Sequence, residues 1–295
     1  MTDQANNLRN LMLNRNNAPV DSAPKSSAKV ITVSSGKGGV GKSNFSVNLA
    51  IALIKRGKRC VIIDADFGLA NIEVLLGVMP NYSFANVISG EKPIIETVTE
   101  GPGGIKFISG GSGFTQLANI SDRQISYLIE NIAHLDDISD IIIIDTGAGM
   151  SKQVVDFITA SNEAVIVTTP EPTSITDAYA IIKKIKEVGN IMPKFNIIVN
   201  RVESKKEGDE IFGKLERVCA KFLGIEVNNL GYLPYDPYLI KAVKAQQPVS
   251  LMYPNAPVVK NIERISEYII DSHNSAPMEE DGIKGFVKRL LVAFR

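Results

Sequence analysis

The chain has 295 residues, room for one large α/β domain or two small ones, and its 32 basic and 32 acidic side chains cancel, which argues against nucleic acid or any partner recruited by bulk charge. Its two cysteines, Cys60 and Cys219, stand far apart and form no CxxC pair, so a zinc ribbon and a disulfide framework are excluded and a reducing compartment is expected. His134 and His273 are too isolated for a metal cluster, and with no signal peptide and no apolar run near ~18 residues, nothing is expected to span a membrane.

Residues 1–29 differ in character from the rest of the chain, being rich in asparagine with Pro19 and Pro24 ahead of a Ser/Ala/Lys stretch. Asn14–Lys29 reads as a flexible linker. Thr2–Leu13 is compatible with a short helix carrying Leu8, Leu11 and Met12 on one side, too short to stand alone and expected to order on a partner; a disordered tail is the alternative.

Val30–Ser43, VITVSSGKGGVGKS, is the organising stretch. A β-branched run breaks into glycines and then opens an apolar helix over about 42–56, ended by Gly57, so Gly36–Ser43 satisfies G-x-x-x-x-G-K-[ST] in its strand–loop–helix context. Gly36, Gly38, Gly39 and Gly41, with Val40 between them, let backbone N–H groups meet phosphate oxygens; the helix beginning near Asn44 aims its positive end at the same place. Lys42 is then the phosphate lysine and Ser43 a magnesium ligand. Lys37 is not required by this pattern and, taken alone, is a solvated loop lysine.

Arg59–Ile63 reads as a buried strand delivering Asp64 and Asp66 at its C-terminal end, where open α/β sheets bind ligands and where a carboxylate suits magnesium, through its bound water, or an attacking water; a helix-capping role is the alternative for either, and both are candidate metal residues. A short helix with Phe84, Val87 and Ile88 lies within 81–91, then a strand over 104–109, a glycine cluster (110–113) that lacks a lysine, and a helix over 122–133. Ile141–Ile144 is the unbroken aliphatic run of a doubly covered parallel strand and ends on Asp145, a magnesium-facing carboxylate ahead of Gly147 and Gly149. Strands over 163–168, 195–199 and 229–233 alternate with helices over 174–188, 207–223 and 257–270, giving one doubly wound, mostly parallel sheet over 30–271. Lys183, Lys184 and Lys186 read as a solvated helix face rather than a DNA contact. Asn200, an amide able to donate and accept at once, suits base recognition, or else a simple turn.

After a polar, acidic linker (272–281), GIKGFVKRLLVAFR reverses character. Ile283, Phe286, Val287, Leu290, Leu291 and Phe294 form one helical stripe, with Lys284, Lys288 and Arg289 on the remaining surface. A basic amphipathic helix of this kind is expected to bind an anionic membrane surface; the alternative is that the stripe docks on its own domain.

KGGVGKS, with its extra Lys37, resembles the deviant Walker A loop of the MinD/ParA family of dimeric ATPases. DADFGLAN (64–71) is similar to that family's switch I, Asp145–Gly149 to its Walker B and switch II, and Asn200-Arg201 with Pro234 and Asp236 to its adenine-bordering NR and PxD elements. Gly147 stands where MinD itself usually has proline, which leaves switch II mobility open. The resemblance implies ATP/ADP and Mg²⁺ as cofactors, an ATP-bound homodimer in which Lys37 crosses to the partner's phosphates, water positioned by Asp66, and a switch supported by Asn71. It also implies a P-loop NTPase fold of the SIMIBI class. DQANNLR at 3–9 matches the DQAxxLR element of the family's FlhG (FleN/YlxH) branch of flagellar number and placement regulators. By that likeness Asp3, Gln4, Ala5, Leu8 and Arg9 stimulate an SRP-like GTPase, flagellar switch (C-ring) proteins are further candidate partners, and the protein is cytoplasmic, reversibly bound to the inner face of the cytoplasmic membrane. A MinD-type division-site ATPase or a ParA-type DNA-partition ATPase is the alternative, and an iron–sulfur carrier is disfavoured for want of a cysteine pair.

Overall fold

Unbroken aliphatic strands require cover on both faces, and a computed structural model supplies it. The structure describes residues 27–66, 71–111, 122–188, 192–273 and 282–294. Eight strands form a single sheet in the order β3-β4-β2-β5-β1-β6-β7-β8: β1 Lys29–Ser35, β2 Cys60–Ala65, β3 Thr99–Glu100, β4 Lys106–Ile108, β5 Ile141–Ala148, β6 Glu163–Thr168, β7 Lys194–Val202 and β8 Val227–Pro234. Every pairing is parallel except that of β3 with β4.

Alternation along the strands sorts the core into two layers. Ile31, Val33, Ile62, Ile141 and Ile143 face one side, where the phosphate-loop helix α1 (Lys42–Lys55) and the long helix Pro257–His273 pack. Val30, Val61, Ile63, Ile142 and Ile144 face the other, under the helices Asp122–Ile132 and Lys152–Ala160. Further along that side, Ile166, Ile197 and Val199 lie under Pro172–Val188 and Lys205–Val218.

The C-terminal helix, Ile283–Phe294, belongs to this second layer. Ile283, Phe286, Val287, Leu290 and Leu291 are all buried, against Phe84, Leu128, Ile132 and Phe157. Phe286 and Phe157 meet ring to ring at 6.1 Å. Arg289 donates from Nε to the Ala160 carbonyl at 2.8 Å and from its guanidinium to Asn162 Oδ1. Of the stripe assigned to lipid, every residue whose side chain is described is therefore turned inward here, while Lys284 and Lys288 beside it are exposed. The docking alternative describes this conformation. Phe294's side chain lies outside the described residues, as do Asp3, Gln4, Ala5, Leu8 and Arg9 of the N-terminal element, residues 67–70 of the switch I stretch, and the acidic linker from 274.

Other boundaries differ for local reasons. β5 continues past Asp145 to Ala148, and β7 past Val199 to Val202, because Val202 pairs with Pro234 beyond a register shift. Asn200-Arg201 thus lies inside a strand, with Arg201 forced to φ 62°. The helices Lys152–Ala160 and Pro237–Lys244 have no forecast in the sequence pattern, and Lys205–Val218 runs into a π-turn, Cys219–Leu223, ended by left-handed Gly224.

Candidate nucleotide site

The carboxyl ends of β1, β2, β5, β6 and β7 converge on α1. Gly41 caps α1 at φ 98°, and a Cβ there would fall 2.4 Å from the Asn200 side-chain nitrogen. Gly36 is required for another reason: its Cβ would lie 2.3 Å from the backbone carbon of Asp177, on the helix Pro172–Val188. Only glycine at both places lets the loop fit between β7 and that helix. Lys42 and Ser43 begin α1 on the loop's inner side, with Lys42 almost fully buried.

Asp145, wholly buried beneath the loop, accepts the Ser46 hydroxyl at 2.8 Å on Oδ1, while its Oδ2 has no hydrogen-bond partner. Burial pushes its carboxyl up to about 6, against the pull of the Ser43 hydroxyl and the Lys42 ammonium. An unpartnered buried carboxylate oxygen next to a serine hydroxyl has the donor chemistry of a hard divalent cation. Asp64 pairs in register with Asp145. Its Oδ1 accepts the Asp66 amide at 3.1 Å and its Oδ2 the Ile72 amide at 3.3 Å, so it ties β2 to the helix Asn71–Leu76. Burial first, then the charge of Asp145, raises its carboxyl to about 8. With both oxygens on backbone donors, the residue anticipated as a metal ligand has a structural task in this conformation. Asp66 sits outermost, takes the Asn71 side-chain amide at 2.9 Å and borders Gly147 of the switch II loop. Among the described residues no three His, Cys, Asp or Glu side chains form a metal cage.

A carboxyl that binds its proton more tightly folded than unfolded favours the fold at low pH. That contribution is complete below the ordinary value of 3.8 and is lost as pH rises through about 6 for Asp145 and about 8 for Asp64. The nucleotide-free protein is therefore expected to show a thermal midpoint that falls from about pH 4 to about pH 8. Added Mg²⁺–ADP should raise the midpoint most at the upper end, because metal and proton compete; calorimetry across that range is the check.

The remaining residues fall around the loop. Lys37 is held within its own chain: its ammonium pairs with Glu171 and reaches Thr173 Oγ1 at 3.1 Å. Sequence reasoning misses these two partners, in the turn after β6, although the Pro-Glu-Pro-Thr run is plain to see. Asn200 is buried, donates to the Val40 carbonyl at 2.7 Å and accepts the Arg201 amide at 2.8 Å, which leaves one N–H and one lone pair for a base. Arg201 reaches the Gly39 carbonyl at 2.6 Å. Pro234 ends β8, and Asp236 is spent on architecture: Oδ1 accepts Tyr238 N and Oδ2 accepts Val258 N, capping one helix and fastening the start of another. The Asn44 carbonyl accepts the Asn48 side chain one turn on. Of the three lysines on Pro172–Val188, Lys183 pairs with Glu187 and Lys186 donates to the Leu223 carbonyl.

Comparison with known proteins resolves what this arrangement is. Residues 26–270 match the ParA family, described as NUBPL iron-transfer P-loop NTPase. The chain belongs to the ParA family of P-loop NTPases. It is 37% identical over 263 residues to the antiactivator FleN of Pseudomonas aeruginosa, covering 89% of this chain and 93% of that protein. It is 35% identical to the flagellum site-determining protein YlxH of Helicobacter pylori, over 99% of both chains. Its fold matches a MinC:MinD cell division complex of Aquifex aeolicus with TM-score 0.66 at 25% identity, over 86% of this chain and 100% of that one. This is a MinD/ParA-type ATPase. The iron transfer in the family description finds no counterpart in the cysteines, since Cys60 and Cys219 are buried in separate clusters, with burial pushing Cys219's thiol up to about 11.

Proposed function

We propose that this ATPase dimerises when ATP-bound, associates with a membrane in that state, and regulates flagellar number or placement with an SRP-like GTPase that its N-terminal segment stimulates. One observation carries the reading. The helix Lys152–Ala160 begins three residues beyond switch II Gly149 and also forms the bed of the amphipathic C-terminal helix, with Phe157 under Phe286 and Lys152 Nζ on the Ala293 carbonyl at 2.5 Å. Movement at switch II thus has a short mechanical route to the stripe's release. Support for the flagellar setting comes from the names of the FleN and YlxH relatives.

In the site, Lys42 and the loop amides would hold the phosphates, and Ser43 with Asp145 Oδ2 would hold Mg²⁺, whose positive charge would offset the negative charge developing during transfer. Asp66 would orient the attacking water. Lys37 has to exchange Glu171 for a phosphate of the second protomer, so dimer formation and loss of that internal pair are one event. Lys37→Ala should keep nucleotide binding yet stay monomeric with ATP by light scattering; a full dimer in that variant would contradict the exchange. The reading as a whole is tested by flotation with anionic vesicles in the empty, ADP and ATP states, expected to succeed only with ATP. GTP turnover by the partner, with and without residues 1–15, tests the arm.

A further inference from the structure

The two ends of the described chain meet at one carboxylate. Asp136 lies in the short helix Leu135–Ile138, on the rim of the groove that receives the C-terminal helix. Its Oδ1 accepts the Ala28 amide at 2.9 Å, where the chain leads into β1. The same carboxylate takes a backbone hydrogen bond from Ile283 and faces the Lys284 ammonium, at the first turn of the C-terminal helix. Ala28 and Ile283 are buried in a common apolar cluster. Gly282 closes the contact: a Cβ there would fall 2.4 Å from Ser27 Cβ and 2.9 Å from its Oγ.

We infer that Asp136 joins the root of the N-terminal segment to the C-terminal helix, so that release of the helix also releases that root. The physical reason is shared support. When the helix leaves, Asp136 loses the Ile283 amide and the Lys284 charge, and water reaches the carboxylate. Ser27 loses its packing against Gly282, and Ala28 loses the apolar cover of Ile283. The single hydrogen bond that remains on Ala28 then competes with solvent and contributes little. Lys29 stays fixed, because its amide donates to the Asp140 carbonyl at 2.9 Å and its strand is paired on both sides, so the loosening stops at residue 28. The inference deepens the proposed function and rests on it for its consequence: the state that exposes the greasy stripe is the state in which the root of the GTPase-stimulating segment, residues 27 and 28, is freed, so partner stimulation is confined to membrane-bound molecules.

Hydrogen–deuterium exchange on the full-length protein tests the joint without any GTPase. Leu290→Asp, placed two turns from the joint, unseats the helix; exchange should rise at 284–292 and, by about tenfold or more, at Ala28, with β5 unchanged. Asp136→Ala attacks the joint itself and should speed both Ala28 and Ile283. The inference is overturned if Leu290→Asp frees 284–292 while Ala28 exchanges as in the wild type, or if Asp136→Ala moves only one of the two amides. Partner GTP turnover is then read separately. Faster exchange at Ala28 with no effect of residues 1–15 on turnover keeps the joint and sinks the arm's proposed role; stronger stimulation by Leu290→Asp than by wild type supports both.

Discussion

Lys42→Ala is expected to lower ATP turnover by about 10²–10³-fold, the cost of removing one preorganised charge from a site where negative charge gathers. This residue would serve twice. Nearly buried at the head of α1, it is the proposed phosphate lysine, and its charge also restrains the carboxyl of Asp145, which burial has already lifted to about 6. Removing it should raise that carboxyl further and weaken metal binding at neutral pH, so added Mg²⁺ will not restore the rate. Phosphate release, measured with a folded control by circular dichroism, gives the result. Turnover within a factor of about three of wild type would refute the assignment of this loop as the catalytic site. If the coupling proposed here holds, ATP-dependent vesicle binding disappears in the same variant.

Phe157→Ala carries the second large expectation. Phe157 is fully buried between the sheet and the docked helix, touching Phe286 across the seam. Truncating it should cost about 3–5 kcal/mol, part transfer and part cavity. The loss falls on both the domain core and the seat of the helix, while every side chain on the helix itself is left intact. Two changes are expected together: a lower thermal midpoint, and flotation with vesicles that no longer depends on nucleotide. A destabilised protein that still floats only with ATP would mean that the helix is not retained by this bed, and the route through Lys152–Ala160 would be abandoned.

Elements carried by strong local chemistry were readable in advance. β6 spans 163–168 as the sequence indicated, and the phosphate loop sits between strand and helix as its spacing required. Asp64 and Asp66 do lie at the end of β2, while Asp145 pairs with Asp64 from within β5. What sequence could not supply was direction. Nothing in DxD distinguishes a carboxylate aimed at metal from one consumed by two backbone amides, and Asp64 proved to be the latter in this conformation. Asp236 is a similar case, its side chain serving two helix starts. Glu171 escapes notice in the sequence because its meaning depends on Lys37, 134 positions away in the chain. The amphipathic stripe was the hardest: lipid and protein interior select the same pattern of Phe, Leu and Val, and only the presence of an apolar trough of matching length decides which one receives it.

That trough has a practical consequence for anyone shortening the chain. Removing residues 282–295 does not merely delete a lipid contact; it strips the lid from Phe84, Leu128, Ile132 and Phe157 and leaves an oily furrow open to water. A furrow of that kind gathers other copies or detergent, so a truncated protein that clumps or fails to float says little about membranes. Val292→Glu, on the helix's exposed side where the residue is 75% accessible, keeps the furrow filled and leaves the stripe intact, so it is the control against which changes in the stripe are read.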